Sequence, residues 1–236
     1  MFIVGLDFET TYHTPVDPTI ARVTEIGAVL WDTVMKAPIL MFSSLVYAEN
    51  YPEIPPEGVA LNGISTDLLQ KYGVLPSIAF GNLNSLLNKC DYVVAHNGTG
   101  FDKPVYENEL PRVGKGMVVK PWVDTCLDVP YPDHIKTRKL TYLAAEHGFA
   151  NPFSHRALFD VMTMLRIMHE YTMDEIIELS KQPTVEVIAS VTFQNKDLAK
   201  ARGYLWDGER KKWVKRMKQS FAAKEVAQAP FHVNVY

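Results

Sequence analysis

Apolar side chains dominate the opening of the chain. Met1-Phe2-Ile3-Val4-Gly5-Leu6 runs without a polar residue up to Asp7, and comparable density returns at Glu25–Trp31 and Ile39–Tyr47. Short runs of this kind, rich in β-branched and aromatic residues, predict three successive strands at Phe2–Glu9, Glu25–Trp31 and Ile39–Tyr47, arranged as an antiparallel meander. Beyond them the period lengthens. Thr66–Tyr72 and Ser77–Lys89 read as helices, with Ser65 and Pro76 as start signals. Asp91–Ala95 is a short strand, His96-Asn97-Gly98-Thr99-Gly100 a glycine-rich turn, and Phe101–Leu110 a helix. Val118–Asp124 gives another strand, Leu140–His147 a helix ended by Gly148, and Ala157–Tyr171 a long helix. Strands that begin antiparallel and continue as β-α-β units predict an α/β fold, a mixed sheet flanked by helices.

The pattern changes near residue 182. A Thr172-Met173-Asp174-Glu175 capping box opens a helix to about Lys181, and Gln182-Pro183-Thr184 then breaks the chain. The expected organisation is a body at 1–181, a linker at 182–184 and a small α+β module at 185–236. Within the module Val185–Phe193 alternates as a strand and Lys196–Arg202 forms a short helix ended by Gly203. Tyr204–Trp206 and Lys212–Val214 flank a turn at Asp207-Gly208-Glu209-Arg210.

Composition adds little to this picture and charge adds more. At 236 residues, 47% hydrophobic and 22% charged, the chain suits an ordinary globular protein with a sizeable core. No apolar run approaches the roughly 20 residues of a membrane span, and the first residues lack the basic start of a signal peptide. The two cysteines, Cys90 and Cys126, both in apolar settings, point to a reducing compartment, so a cytoplasmic location is expected. The net charge of −3 conceals an asymmetry. Residues 1–184 carry 14 Lys and Arg against 22 Asp and Glu, a net of −8, whereas residues 185–236 carry 10 against 5, a net of +5. An acidic body with a basic tail fits a metal–carboxylate site joined to a module able to touch polyanions.

The candidate chemistry begins at Asp7 and Glu9. Alternate residues of a strand share a face, so both carboxylates project together from an otherwise apolar strand. Like charges there are costly unless a cation neutralises them, and a hard divalent metal is the usual partner; a solvated strand end is the plainer reading. Asp102 follows the glycine-rich turn, either as a metal ligand brought close by the glycines or as a first-turn acid favoured by the helix dipole. Asp160 stands among Leu158, Phe159, Val161 and Met162, where a buried carboxylate needs a partner. His155 lies about 140° from Asp160 on an ideal helix, so it belongs on the entering loop with Asp160 one turn inside. There it suits a general base, or a surface loop residue.

Together, Asp7-x-Glu9, Asp102 and His155-x-Ala157-x-x-Asp160 resemble the DEDDh exonuclease family, which includes the proofreading exonucleases of DNA polymerases. The likeness spans roughly residues 1–170. Glu25-Ile26-Gly27-Ala28-Val29 looks like that family's second strand, and Leu61-Asn62-Gly63-Ile64-Ser65 like its nucleotide-wedging loop. The chain departs from the family at Thr11-Tyr12-His13-Thr14-Pro15, which replaces the usual Thr-Gly-Leu, at Asn62, where histidine is frequent, and in the appended module.

The resemblance implies an RNase H-like fold with a mixed five-stranded sheet. It implies a metal-dependent 3′–5′ exonuclease that acts on single-stranded or frayed ends, DNA in preference to RNA, and releases nucleoside 5′-monophosphates. Asp7, Glu9, Asp102 and Asp160 would hold two Mg²⁺ or Mn²⁺ ions, Asp7 bridging them, while His155 deprotonates the attacking water. Carboxylates gathered without metal would then have raised pKa values. Thr10 would hydrogen-bond the terminal nucleotide and Ile64 would wedge at its base. Asn97 and Phe101 either line the pocket or serve packing. Lys136-Thr137-Arg138-Lys139 is either a phosphate contact or a solvated loop.

The tail, Phe193 to Trp213, resembles small modules attached to DNA-processing proteins of phages and mobile elements, which suggests a phage or bacterial source. Its two tryptophans, Trp206 and Trp213, are expected in the module's core beneath a coat of lysines; stacking on a single strand is the alternative. Dimerisation through strand 185–193 or the apolar end Phe231–Tyr236 is a further possibility. Two other roles stay open, a proofreading or accessory subunit that docks a polymerase, and a catalytically weak nucleic-acid-binding module.

Overall fold

The computed structural model describes residues 1–11 and 20–236. At its centre runs β1 (Phe2–Thr10), with β2 (Val23–Asp32) and then β3 (Ala37–Leu45) antiparallel on one side. On the other side β4 (Tyr92–Ala95) and β5 (Trp122–Asp124) continue in parallel, giving a five-stranded mixed sheet of order β3-β2-β1-β4-β5. This is the architecture the sequence pattern implies, although the last strand keeps only three of the seven residues expected at Val118–Asp124.

Alternation along β1 decides the layering. Val4, Leu6 and Phe8 enter one core, with Phe80, Leu83 and Leu87 of α3 (Pro76–Leu87) and Val105, Tyr106 and Leu110 of α4 (Asp102–Arg112). Ile3 enters the core on the opposite face. There it meets Leu143 of α5 (Leu140–Glu146), Val161, Met164 and Leu165 of α6 (Ala157–Met168), and Ile176 of α7 (Met173–Ser180). Each such side chain contributes about 1.5–3 kcal/mol by leaving water.

Gly5, Asp7 and Glu9 continue the face of Ile3, and here the helix comes unusually close. A Cβ on Gly27 would lie 2.3 Å from the backbone of Ala157 and Leu158, and one on Gly5 would lie 2.8 Å from Val161. The first turns of α6 therefore rest on bare backbone, which only glycine permits. That contact sets Asp160 over the end of β1.

Two helices precede α3. Proline at the first helical position starts α1 (Pro56–Asn62), which the sequence pattern did not predict, and Gly63 ends it in the left-handed region at φ 73°. α2 (Thr66–Tyr72) begins as expected, with the Ser65 hydroxyl accepting from the Leu68 N–H at 3.1 Å. At α7 the expected capping box is not closed, since the Thr172 side chain makes no capping hydrogen bond.

The C-terminal sheet has the order β7-β8-β6-β9, built from β6 (Thr184–Ser190), β7 (Leu205–Asp207), β8 (Lys212–Lys218) and β9 (His232–Val235). α8 (Lys196–Ala201) and α9 (Gln219–Gln228) accompany it. The strand expected to reach Phe193 stops at Ser190, and Phe193–Asn195 forms a 3₁₀ turn. β6 is an interior strand, paired to β8 and β9, so it offers no edge for dimerisation. The apolar end at Phe231–Tyr236 forms the edge strand β9, with Phe231 packed 5.6 Å from Tyr204 and Val235 and Tyr236 exposed. Trp213 packs on the small core, but Trp206 is 53% exposed, contrary to the expectation that both tryptophans are core residues.

A buried ion pair fastens this sheet to the body. Lys218 Nζ lies 2.7 Å from Asp128 Oδ1 with both side chains almost fully enclosed, and the same ammonium donates to the Gln182 carbonyl at 3.2 Å. No helix among the described residues is long and apolar enough to cross a membrane.

Two substitutions test these contacts. Gly27→Ala should lift α6 from the sheet and cost about 1–3 kcal/mol, read as a melting temperature lower by roughly 2–4 °C per kcal/mol. Lys218→Ala leaves Asp128 buried without its cation and should cost about 3–5 kcal/mol in chemical denaturation.

Candidate active site

Asp7 and Glu9 sit opposite Gly27 and Glu25 of β2, and the register slips between Glu9 and Thr10. A bulge at that point bends the strand end and re-aims its side chains. Asp7 is half-buried, while Glu9 is buried and accepts from Asn62 Nδ2 at 3.0 Å. Asn62, one of the departures from the family pattern, thus fixes the orientation of the second carboxylate.

Asp102, the first residue of α4, is 1% exposed. Its Oδ1 accepts the Phe8 N–H at 3.1 Å, midway between Asp7 and Glu9. Its Oδ2 is buried with no hydrogen-bond partner among the described residues. The turn before it is held from below by Asp124, which accepts from the backbone N–H groups of Asn97 and Thr99, each at 3.1 Å, and from the Thr99 hydroxyl at 2.6 Å.

Asp160 lies one turn inside α6 and accepts the His155 backbone N–H at 3.0 Å and the Asn151 side chain. His155 is exposed on the entering loop, with φ at 62°. That conformation is strained for a residue with a Cβ and persists where its surroundings impose it. One ligand atom each from Glu9, His155 and Asp160 fall within 4.8 Å of one another.

The loop is held by a residue pair that sequence reading missed. Arg156 grips the buried Glu25 carboxylate through Nε and Nη2, the shortest contact being 2.8 Å, and Ala157 N–H donates to the same group at 2.9 Å. Such a fork is directional, so it fixes the base of the His155 loop to β2. The one signal in sequence was that Arg156 adjoins His155.

Burial and mutual repulsion dominate the electrostatics of the four carboxylates. Burial is the first cause in each case. It pushes Asp7 far above the usual carboxylate range, with Asp102, Glu9, Asp160 and Glu25 adding repulsion. Glu9 is raised to about 8 in spite of the Asn62 hydrogen bond, and Asp102 to about 8 in spite of backbone donors. Asp160 is raised too, against the lowering effects of His155 and the Asn151 hydrogen bond. Four converging carboxylates, one with an orphaned buried oxygen, fit hard divalent cations with oxygen ligands such as Mg²⁺ or Mn²⁺.

The remaining candidates are placed as follows. Thr10 is buried beside the bulge. Ile64 is 1% exposed and packs with Ile54 and Leu69, so it presents no surface to a base and the wedge assigned to it is corrected. Leu61, 41% exposed, is the apolar side chain of that turn at the surface. Asn97 is exposed at φ 65°, and Phe101 is half-buried against the core that α4 shares with β1. Arg138 folds inward over the Tyr131 ring at 4.6 Å, leaving Lys136 and Lys139 at the surface. The departure at Tyr12–Pro15 lies outside the described residues.

The raised carboxyls have a consequence for stability. In EDTA the folded protein keeps protons on Glu9 and Asp102 between the ordinary carboxylate range and about pH 8, where the unfolded chain has released them. Folding then binds protons, so the melting temperature should fall as pH rises through that window. Mg²⁺ should restore more stability at pH 8 than at pH 6, and Asp102→Asn should melt several degrees above the parent at pH 8 in EDTA.

A family model described as exonuclease, RNase T, matches residues 4–168. No curated protein sequence matches the chain. Among solved structures, E. coli exonuclease I in complex with a dA16 oligonucleotide aligns with a TM-score of 0.63 at 15% identity, over 80% of this chain and 48% of that one. The present chain therefore spans about half the length of that relative. The nuclease domain of 3′hExo, a DEDDh family member bound to rAMP, aligns with a TM-score of 0.59 at 20% identity, over 73% of this chain and 92% of that one. Another exonuclease I structure aligns over the whole of this chain and 62% of its own, with a TM-score of 0.66 at 12% identity. These likenesses show the RNase H-like fold, and the family model, covering most of the chain, shows that it belongs to the RNase T exonuclease family.

Proposed function

We propose that the chain removes nucleotides one at a time from the 3′ end of single-stranded or frayed nucleic acid, DNA in preference to RNA, and releases nucleoside 5′-monophosphates. The observation that carries this reading is the convergence of Glu9, His155 and Asp160 within 4.8 Å, beside the mutually repelling carboxylates of Asp7 and Asp102. Asp7, Glu9, Asp102 and Asp160 would hold two Mg²⁺ or Mn²⁺ ions. When bound, such ions lower the pKa of the attacking water and stabilise charge on the leaving 3′-oxygen.

The chain's own residues supply the rest. His155 takes the proton from the water as its oxygen attacks phosphorus, and the bond from phosphorus to the 3′-oxygen breaks. The shortened strand keeps a 3′-hydroxyl after that oxygen gains a proton from solvent. The Glu25–Arg156 fork keeps the His155 loop in place, and Asn62 keeps Glu9 turned toward the site. Exposed Leu61, next to Asn62, takes the wedge role once given to Ile64, and buried Thr10 stands where the terminal nucleotide would meet the strand end. Lys139, exposed at the end of the basic loop, is available to phosphates upstream. The neighbours solved with oligonucleotides or a nucleotide support a single strand as substrate.

A 5′-labelled single-stranded DNA and its RNA counterpart, incubated with Mg²⁺, Mn²⁺ or EDTA, give the test. The expected result is a metal-dependent ladder shortening from the 3′ end, faster on DNA. Asp7→Ala should abolish it, and His155→Ala should lower kcat by about 10²–10⁴-fold with KM little changed. Absence of a ladder with either metal on either strand would sink the proposal.

A further inference from the structure

The C-terminal sheet carries an exposed aromatic cluster that the active site does not use. Trp206, on the three-residue edge strand β7, is 53% exposed and stands opposite Trp213 with ring centroids 5.4 Å apart. Phe193, in the 3₁₀ turn after β6, is 79% exposed. Between the hairpin and that turn opens a cleft of about 750 Å³ lined by all three rings. Lysines surround them. Lys196 sits 3.9 Å over the Phe193 ring, Lys200 lies 5.9 Å from Trp213, and Lys211 and Lys212 rise from the hairpin.

No acidic residue is among the described residues that line the cleft. Near the hairpin Arg210 binds both Asp207 and Glu186, and Glu209 of the same turn is not part of the cleft lining. Lys200 pairs with Asp197 at 3.3 Å, but among the described residues Lys196, Lys211 and Lys212 have no acidic partner. A cross-strand tryptophan pair can pin a hairpin. Pinning, however, needs neither a third exposed ring nor three lysines without an acidic partner among the described residues. Flat faces for stacking beside cations for phosphates are what an unpaired strand requires.

We propose that this cleft is a second nucleic-acid site, which binds the interior of a single strand by stacking bases on Trp206, Trp213 and Phe193 and holding phosphates with Lys196, Lys211 and Lys212. The proposal stands apart from the catalytic reading, because the site needs no 3′ end and no metal.

A small circular single-stranded DNA, and a circular RNA beside it, isolate the site, since neither has an end to trim. Binding is followed by fluorescence anisotropy in EDTA, with hydrolysis of a chromogenic thymidine 5′-monophosphate ester as the separate measure of the active site. The parent should bind the circle, and Trp206→Ala should weaken binding about 10-fold or more. The Lys196→Ala/Lys212→Ala pair should lower the salt slope by about 0.7 per lysine. Neither variant should change ester hydrolysis. Should Trp206→Ala fold poorly, Trp206→Phe keeps a stacking face and should retain binding, while Trp206→Leu keeps bulk and should lose it. Failure of the parent to bind either circle at low salt, or equal binding by parent and the Trp206 and lysine variants, would overturn the proposal. So would a cleft that takes only an acidic peptide. Loss of ester hydrolysis with circle binding intact would count against the catalytic reading alone.

Discussion

Like charge forced together at low dielectric is the constraint on which the rest of the structure turns. Asp7, Glu9, Asp102, Asp160 and Glu25 all approach the end of β1, and Glu25 has the guanidinium of Arg156. Burial outweighs the hydrogen bonds made by Glu9, Asp102 and Asp160, and these three and Asp7 all hold their protons more tightly than an ordinary carboxyl. A fold with five acids at one point is viable only if the frame holding them is stiff enough to resist their repulsion. The frame is correspondingly rigid at three points.

One is the bare-backbone contact of α6 on Gly5 and Gly27, which leaves no room for the helix to slide. Another is the Glu25–Arg156 fork with its added Ala157 N–H, which stops the His155 loop from swinging away. The last is the Asp124 carboxylate, whose bonds to Asn97 and Thr99 fix the turn that delivers Asp102. Each acts on a different part of the site: Asp160, the His155 loop and Asp102.

The third point reaches farther than the active site. Asp128 accepts the Asp124 backbone N–H at 2.7 Å and pairs through its other oxygen with Lys218 of the C-terminal sheet. A continuous line of polar contacts thus runs from β8 through Asp128 and Asp124 to the Asp102 turn. The appended sheet is therefore joined to the frame of the candidate site, with its aromatic cleft elsewhere on the same small sheet. An ion pair buried this thoroughly adds little net stability but penalises any other docking geometry, because a separated partner would be left charged and unsolvated.

The sequence by itself determined the layers and the membership of the candidate site. Alternation in Phe2–Thr10, the β-α-β order and the spacing of Asp7, Glu9, Asp102, His155 and Asp160 are local patterns, and local patterns survive without knowledge of neighbours. Even His155 on the loop and Asp160 one turn inside followed from helical geometry alone. What only the tertiary structure decided are the pairings between distant segments. Asn62 on Glu9, Arg156 on Glu25 and Lys218 on Asp128 each join residues 53 or more positions apart. Burial was equally hidden at Ile64, whose turn faces inward, and at Trp206, which an edge strand leaves in solvent. An apolar residue looks the same in sequence on either side of a surface, because its exposure is set by what packs against it.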